Sequence, residues 1–304
     1  VTSVHLLFCL IQIISLVGEH GQYAGRPGKG HSAGKEIAMV KKPQGSTSSG
    51  GTMPVVRTIG MNDIKAAFVG GIRDFTRAPL FGLFFGGFYA LGGLLAVAFV
   101  AQLDMHYMIY PLAIGFPLVG PFVAVGIYEV SRCLQEERAL TWSGVLTTVW
   151  RQKGRELSIM AFVTLFIMWM WMYQVRLLVA LFLGFRSFST FEGFIDIVLN
   201  TSDGLLFLAV GHVVGAVLYA VLFSVTVVSI PLLLDREVDF VTAIITSVKT
   251  VLTNPFVMLT WAIIVLVLTG LALLPAFLGL FIVLPILGHA TWHLYQRVVE
   301  PASN

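Results

Sequence analysis

The sequence predicts an all-α, multi-pass membrane protein of six transmembrane helices in three hairpins, each hairpin preceded by an amphipathic helix on the cytoplasmic face. Three observations carry this. Of 304 residues, 57% are apolar and only 12% charged, about half the charge of an ordinary water-soluble chain. Five runs lack Asp, Glu, Lys and Arg for long enough to cross about 30 Å of hydrocarbon. The Lys and Arg residues fall almost wholly on one set of connections.

Taken from the N-terminus, residues 1–60 read as a disordered or mis-annotated extension. Gly, Ser, Lys and Pro dominate from Gly18 to Gly51 with no apolar period. Val4 to Val17 resembles the apolar part of a signal peptide but lacks a basic start and an A-x-A cleavage pattern. A chain opening on Val suggests an alternative start codon read literally, with Met39 or Met53 as the expected start.

The six-helix domain is expected over residues 61–299, leaving 300–304 as a short tail. Its charge-free runs are Ala78 to Leu103, Met105 to Tyr128, Leu157 to Val175, Gly204 to Leu234 and Thr250 to Gln296. The last, at 47 residues, is too long for the roughly 20 that one helix needs, and Pro275 near its middle marks a turn between two helices. Runs of this length and polarity suit helices rather than the alternating strands of a membrane barrel.

Of the 19 Lys and Arg residues, nine precede the first span, five separate the second from the third, two separate the fourth from the fifth and one follows the sixth. Only Arg176 and Arg186 fall on the opposite side. Both termini are therefore expected in the cytoplasm. The net charge of +3 is too small to imply a nucleic-acid partner, and the two cysteines, Cys9 and Cys133, lie too far apart in sequence and setting to suggest a disulfide framework or a thiolate metal site.

A weak threefold repeat of amphipathic helix plus hairpin runs through the domain. Ile64, Phe68, Ile72 and Phe75 recur at helical spacing in the first unit, and Phe240, Ile244, Val248 and Val251 in the third, behind Asp239. Leu140, Val145 and Val149 with Trp142 and Trp150 form the middle member. Ala78-Pro79 matches Asn254-Pro255, Pro111 and Pro121 match Pro275 and Pro285, and Tyr128 falls opposite Trp292. The units all start in the cytoplasm, so the repeats are parallel, unlike the inverted repeats of many secondary transporters.

The run Gly115-Phe-Pro-Leu-Val-Gly-Pro-Phe-Val-Ala-Val-Gly-Ile-Tyr-Glu-Val-Ser-Arg132, with Ser229-Ile-Pro-Leu-Leu-Leu-Asp-Arg236 and Gly288-His-Ala-Thr-Trp-His-Leu-Tyr295, resembles a bacterial family of predicted integral membrane proteins of unknown function. The resemblance extends from about Ile59 to Val299 and implies a polytopic inner-membrane protein. Members are sometimes labelled cytochrome c oxidase subunit I. True subunit I has twelve spans and six histidine ligands for haem and copper, which this chain lacks, so the resemblance implies no activity.

Several residues stand out as candidate sites. Arg73 and Arg77, with Arg151, Lys153 and Arg155, lie at the ends of the amphipathic helices, where they are placed to contact lipid phosphates or a partner protein. His212 lies within a span, and His289 and His293 share one face of the last helix. Three imidazoles are a potential metal or haem ligand set, set against a plain structural role in which each is hydrogen-bonded to a carbonyl, Tyr or Trp. Gly82 and Gly86, and Gly211 and Gly215, form small-residue stripes for close helix packing. Glu129 with Arg132, and Asp235 with Arg236, lie at cytoplasmic helix ends, where ion pairing between repeats is expected. Ser189 and Glu192 have capping-box spacing ahead of a short amphipathic stretch. No nucleotide loop, serine-hydrolase elbow, zinc-protease helix or paired-cysteine motif occurs in the sequence. The expected function is that of a non-enzymatic inner-membrane component associating with lipids or other membrane proteins. A small transporter or channel and a respiratory-chain or haem-associated subunit are the alternatives.

Overall fold

The computed structural model describes residues 53–101, 109–152, 156–184 and 191–301. Most of the N-terminal extension, Lys153, Arg155, Arg186 and Ser189 lie outside the described residues. The rest is helical: α1 (Met61–Arg77), α2 (Pro79–Ala101), α3 (Ile109–Gln135), α4 (Trp142–Gln152), α5 (Glu156–Leu178), α6 (Phe191–Asn200), α7 (Ser202–Thr226), α8 (Ser229–Asp235), α9 (Phe240–Thr253), α10 (Pro255–Leu273) and α11 (Leu280–Val298). A π-helical turn, Val179–Leu183, prolongs α5. An isolated antiparallel bridge between Val56 and Val299 is the one extended pairing among the described residues.

Local chemistry sets the boundaries. The Asp63 carboxylate accepts the Gly60 N–H at 2.9 Å and starts α1. Asp239 caps α9 by accepting from the Thr242 N–H at 2.9 Å, and these hydrogen bonds hold its carboxyl below the usual carboxylate range. Pro79 forces Ala78 out of the helical region, to φ −134° and ψ 55°, and α2 leaves α1 at an angle of 102°. Pro255 does the same to Asn254, at φ −124° and ψ 53°. Between α10 and α11 the chain turns over Leu274 to Gly279, where Ala276 and Phe277 take positive φ.

Among the described residues, three helical stretches are long and apolar enough to cross a membrane: Glu156–Leu183, Ser202–Asp235 and Pro255–Leu273. Met61–Arg77 with Pro79–Leu95 makes a fourth if that bent pair counts as one span. The burial pattern is inverted relative to a soluble protein. Large apolar side chains such as Phe84, Phe166, Val213, Phe256 and Ile263 face outward, while Asp74, Glu129, Ser131, Ser247 and His289 are buried. Lipid solvates such a surface at no cost, whereas water would not.

The organising element is α11, with Trp292, Leu294 and Tyr295 at the heart of the core. Along it lies α1, and the approach is close enough that a Cβ at Gly71 would fall 2.7 Å from both the Ala290 nitrogen and the Ile286 oxygen. Gly86 brings α2 equally near: a Cβ there would fall 2.9 Å from the carbonyl oxygens of Leu280 and Phe281. Gly82 faces Phe75 and Pro285, and Gly215 sits under the Trp171 ring, but Gly211 has its nearest neighbour, a Leu178 methyl, at 4.0 Å.

This close contact fixes which face of α1 is buried. Its buried face is Ile64, Ala67, Gly70, Gly71 and Asp74; of the apolar row Ile64, Phe68, Ile72 and Phe75, only Ile64 is buried, Phe68 and Phe75 are half-buried and Ile72 is 41% exposed. Gly70 and Gly71 take the positions nearest α11 because a Cβ there would strike it, and Ile72 turns outward.

Residues 53–60, read from sequence as tail, run extended beside the end of α11. The Arg57 N–H donates to Val298 O at 2.8 Å and the Glu300 N–H to Val55 O at 3.0 Å. Arg57 Nε also reaches Glu300 at 3.3 Å. Asn254 accepts the Ile59 N–H at 2.8 Å and donates to Arg57 O at 3.0 Å. Backbone pairing of this kind carries no apolar period, so composition alone could not reveal it.

Candidate functional site: a buried carboxylate cluster beneath outward-facing helices

Asp74 is 1% exposed and sits where α1, α3 and α11 meet. Its Oδ2 accepts from the Ser131 hydroxyl at 2.9 Å and pairs with His293 Nε2 at 2.7 Å. Ser131 Oγ is also 2.7 Å from His289 Nδ1. Further out, Gln135 Nε2 lies 3.0 Å from His293 Nδ1, and the Trp292 indole N–H donates to Gln135 Oε1 at 3.0 Å.

Donor and acceptor rules fix the direction of this chain. An indole nitrogen only donates, so the Gln135 oxygen is the acceptor and its amide nitrogen donates to His293 Nδ1. His293 then carries its proton on Nε2 and gives it to Asp74. At the other end, Ser131 spends its single proton on Asp74, so His289 Nδ1–H donates to Ser131. The chain converges from both sides on one carboxylate. Cooperative networks of this type are rigid when complete and costly when broken.

A Ser, two His and an Asp in contact suggest a nucleophile, but the order is wrong for one. The carboxylate stands between the hydroxyl and His293, and Ser131 is fully buried, so no base is placed to activate an accessible oxygen. The arrangement can store a charge, orient helices or hold a proton.

His212 stands apart on α7. Its ring is exposed, and Nδ1 lies 2.6 Å from the Leu208 carbonyl of its own helix. Among the described residues no group of three or more His, Cys, Asp or Glu is placed to hold a metal ion, so His212, His289 and His293 do not converge as one ligand set. The partners of His289 and His293 are a hydroxyl, a carboxylate and an amide rather than the carbonyl, Tyr or Trp expected. Asp74, Ser131 and Gln135 were not singled out in the sequence. One signal was available: Asp74 lies ten residues after Ile64 and three after Gly71, on the small-residue face of α1.

The acidic and basic pairs at helix ends are local rather than between repeats. Glu129 binds Arg132 of its own helix at 2.5 Å, with Arg138 at 3.6 Å. Asp235 pairs with the adjacent Arg236 at 3.7 Å. Links between elements come instead from Arg132 Nη1 donating to Leu234 O at 3.1 Å and the Tyr295 hydroxyl donating to Asp235 at 2.6 Å.

Arg73, Arg77 and Arg151 are exposed. Around them α1, α4 and α9 share a pattern. Each buries small or polar side chains, such as Gly71, Gln152 and Ser247, beside the apolar Ile64 and Val145, and each exposes large apolar ones: Met61 and Val69, Trp142, Leu146 and Trp150, Val241, Ile245 and Leu252. Trp150 is 71% and Leu252 74% exposed. Trp142 also stacks on Phe81 at 4.0 Å, which ties α4 to the entry of α2.

The fold and this burial pattern define a helical integral membrane protein. Residues 109–235, from α3 to α8, match the model of a family described as predicted integral membrane protein (DUF2189), a family of unknown function. No curated protein and no solved structure matches the chain.

Proposed function

We propose that the protein is a non-enzymatic, multi-pass component of the bacterial inner membrane that associates with lipids through α1, α4 and α9. These helices lie in the cytoplasmic headgroup layer, with six crossings made by α2, α3, α5, α7, α10 and α11. The observation that carries the reading is the outward apolar face shared by α1, α4 and α9, bordered by Arg73, Arg77 and Arg151, with Lys153 and Arg155 following. An interfacial helix buries such a face among acyl chains while its basic residues meet phosphates, each worth about 1 kcal/mol near an anionic surface. The near-identical backbone at Ala78 and Asn254 supports parallel repeats, since each marks the corner between interfacial helix and span. The pairing of Val56 with Val299 supports an even number of crossings, because both strands of that bridge must lie on one side of the bilayer.

Replacing Arg73, Arg77, Arg151, Lys153 and Arg155 with Gln tests this. In nanodiscs of mixed phosphatidylglycerol and phosphatidylcholine, the wild-type chain is expected to enrich anionic lipid around itself and the variant to lose that preference by about tenfold, less at high salt. Unchanged lipid selection in a folded variant would remove the reading.

A second reading, a small transporter, is favoured by one observation: an ionisable carboxylate, Asp74, buried with two imidazoles in a membrane protein. Such groups are commonly part of ion or proton pathways.

A further inference from the structure

A half-open cavity of about 100 Å³ is framed by six of the helices. It is walled by Phe85 of α2, Ala124 of α3, Thr226 of α7, Ile230 of α8, Trp261 of α10 and Thr291 of α11, so each of the three helical units contributes to it. We infer that this cavity is a binding site for a small uncharged hydrogen-bond acceptor.

The polar inventory of the wall points to that chemistry. Trp261 is 0% exposed, and its indole N–H finds no acceptor in the protein. A buried donor left in that state costs about 1–3 kcal/mol, and an indole has no alternative role, since it cannot accept. Tyr89 and Tyr128 also line the wall and bring hydroxyls that can donate or accept, while the two threonines present the opposite polarity. Thr226 donates its proton to Leu222 O and Thr291 to Leu287 O, both at 2.7 Å, so each hydroxyl turns only lone pairs to any guest. No Asp, Glu, Lys, Arg or His lines the wall, and an ion there would face the full cost of leaving water without a counter-charge.

Size narrows the class. At about 30 Å³ per water in the liquid, the cavity corresponds to roughly three waters or one planar solute of a few non-hydrogen atoms. Water and a small carbonyl compound share the required acceptor, and the wall recognises that feature in either. The apolar remainder, Phe85, Ala124 and Ile230, favours a guest with one polar end. This site is separate from the Asp74 cluster and from the lipid-facing helices, so it stands whether or not the lipid reading does.

The test is nuclear magnetic resonance of detergent-solubilised full chain labelled with 15N at tryptophan, the Trp261 indole resonance being assigned from Trp261→Phe. The site predicts a water cross-peak to this N–H, or a saturable shift on adding acetone that neither isobutene, its isostere without the oxygen, nor acetate, its charged counterpart, produces. A water cross-peak that acetone leaves in place identifies water as the guest, and displacement by acetone identifies a small solute. Ala124→Leu, which fills the cavity while retaining the indole, should abolish both signals. An indole with no water cross-peak and no saturable acetone shift would overturn the inference, as would a saturable acetone shift that isobutene or acetate reproduces.

Discussion

A single carboxylate decides how the end of this bundle is held together. Asp74 accepts from Ser131 and His293 and, through Ser131, fixes His289. Removing it would leave a buried hydroxyl and a buried imidazole N–H without acceptors, the kind of loss that costs about 3 kcal/mol. Asp74→Ala is therefore expected to lower stability by that amount in thermal unfolding of detergent-solubilised protein. Arg73→Ala, one residue away but exposed, should change it by no more than about 0.5 kcal/mol. Equal effects would show that the network is not the tie described. The sequence made the histidines visible because an imidazole in an apolar run is conspicuous. Asp74 was hidden among the polar residues of an amphipathic helix, and its importance depends on α3 and α11 arriving from 57 and 219 residues away.

At the level of elements, helix existence was readable from apolar run length and from Pro79 and Pro255, which break the chain where the local chemistry requires. The orientation of α1 was not. Period marks Ile64, Phe68, Ile72 and Phe75 as one apolar row without saying what it faces, whereas the distance between α1 and α11 is set by Gly70 and Gly71, and a surface facing lipid removes the usual reason to turn large side chains inward. Gly71→Ala should consequently be damaging, at about 2 kcal/mol, because its Cβ would meet backbone atoms of α11 at 2.7 Å. Gly60→Ala, where a Cβ meets nothing within 4 Å, should be neutral within about 0.5 kcal/mol. Both are read from the same melting experiment, and a harmless Gly71→Ala would contradict the close approach. Of the sequence's glycine stripes, Gly82 and Gly86 lie against neighbours that a side chain would strike, whereas Gly211 has room, a distinction that spacing cannot make.

For the molecule as a whole, composition alone settled the solvent. A chain with 57% apolar and 12% charged residues and with Phe84, Phe166 and Ile263 facing outward belongs in lipid. The positive-inside count proposed a direction, and the structure adds an independent geometric argument that no residue count contains: the segment before α1 and the end of α11 are hydrogen-bonded to each other through Arg57, Val298 and Glu300. Paired backbones cannot stand on opposite faces of a bilayer. The proposed threading of the chain, and with it the proposed placement of α1, α4 and α9 in one headgroup layer, depends on this, and a compartment-sensitive reporter fused in turn to each end of the chain tests it most directly. The account predicts that both fusions report the cytoplasm; fusions reporting opposite sides of the membrane would contradict it.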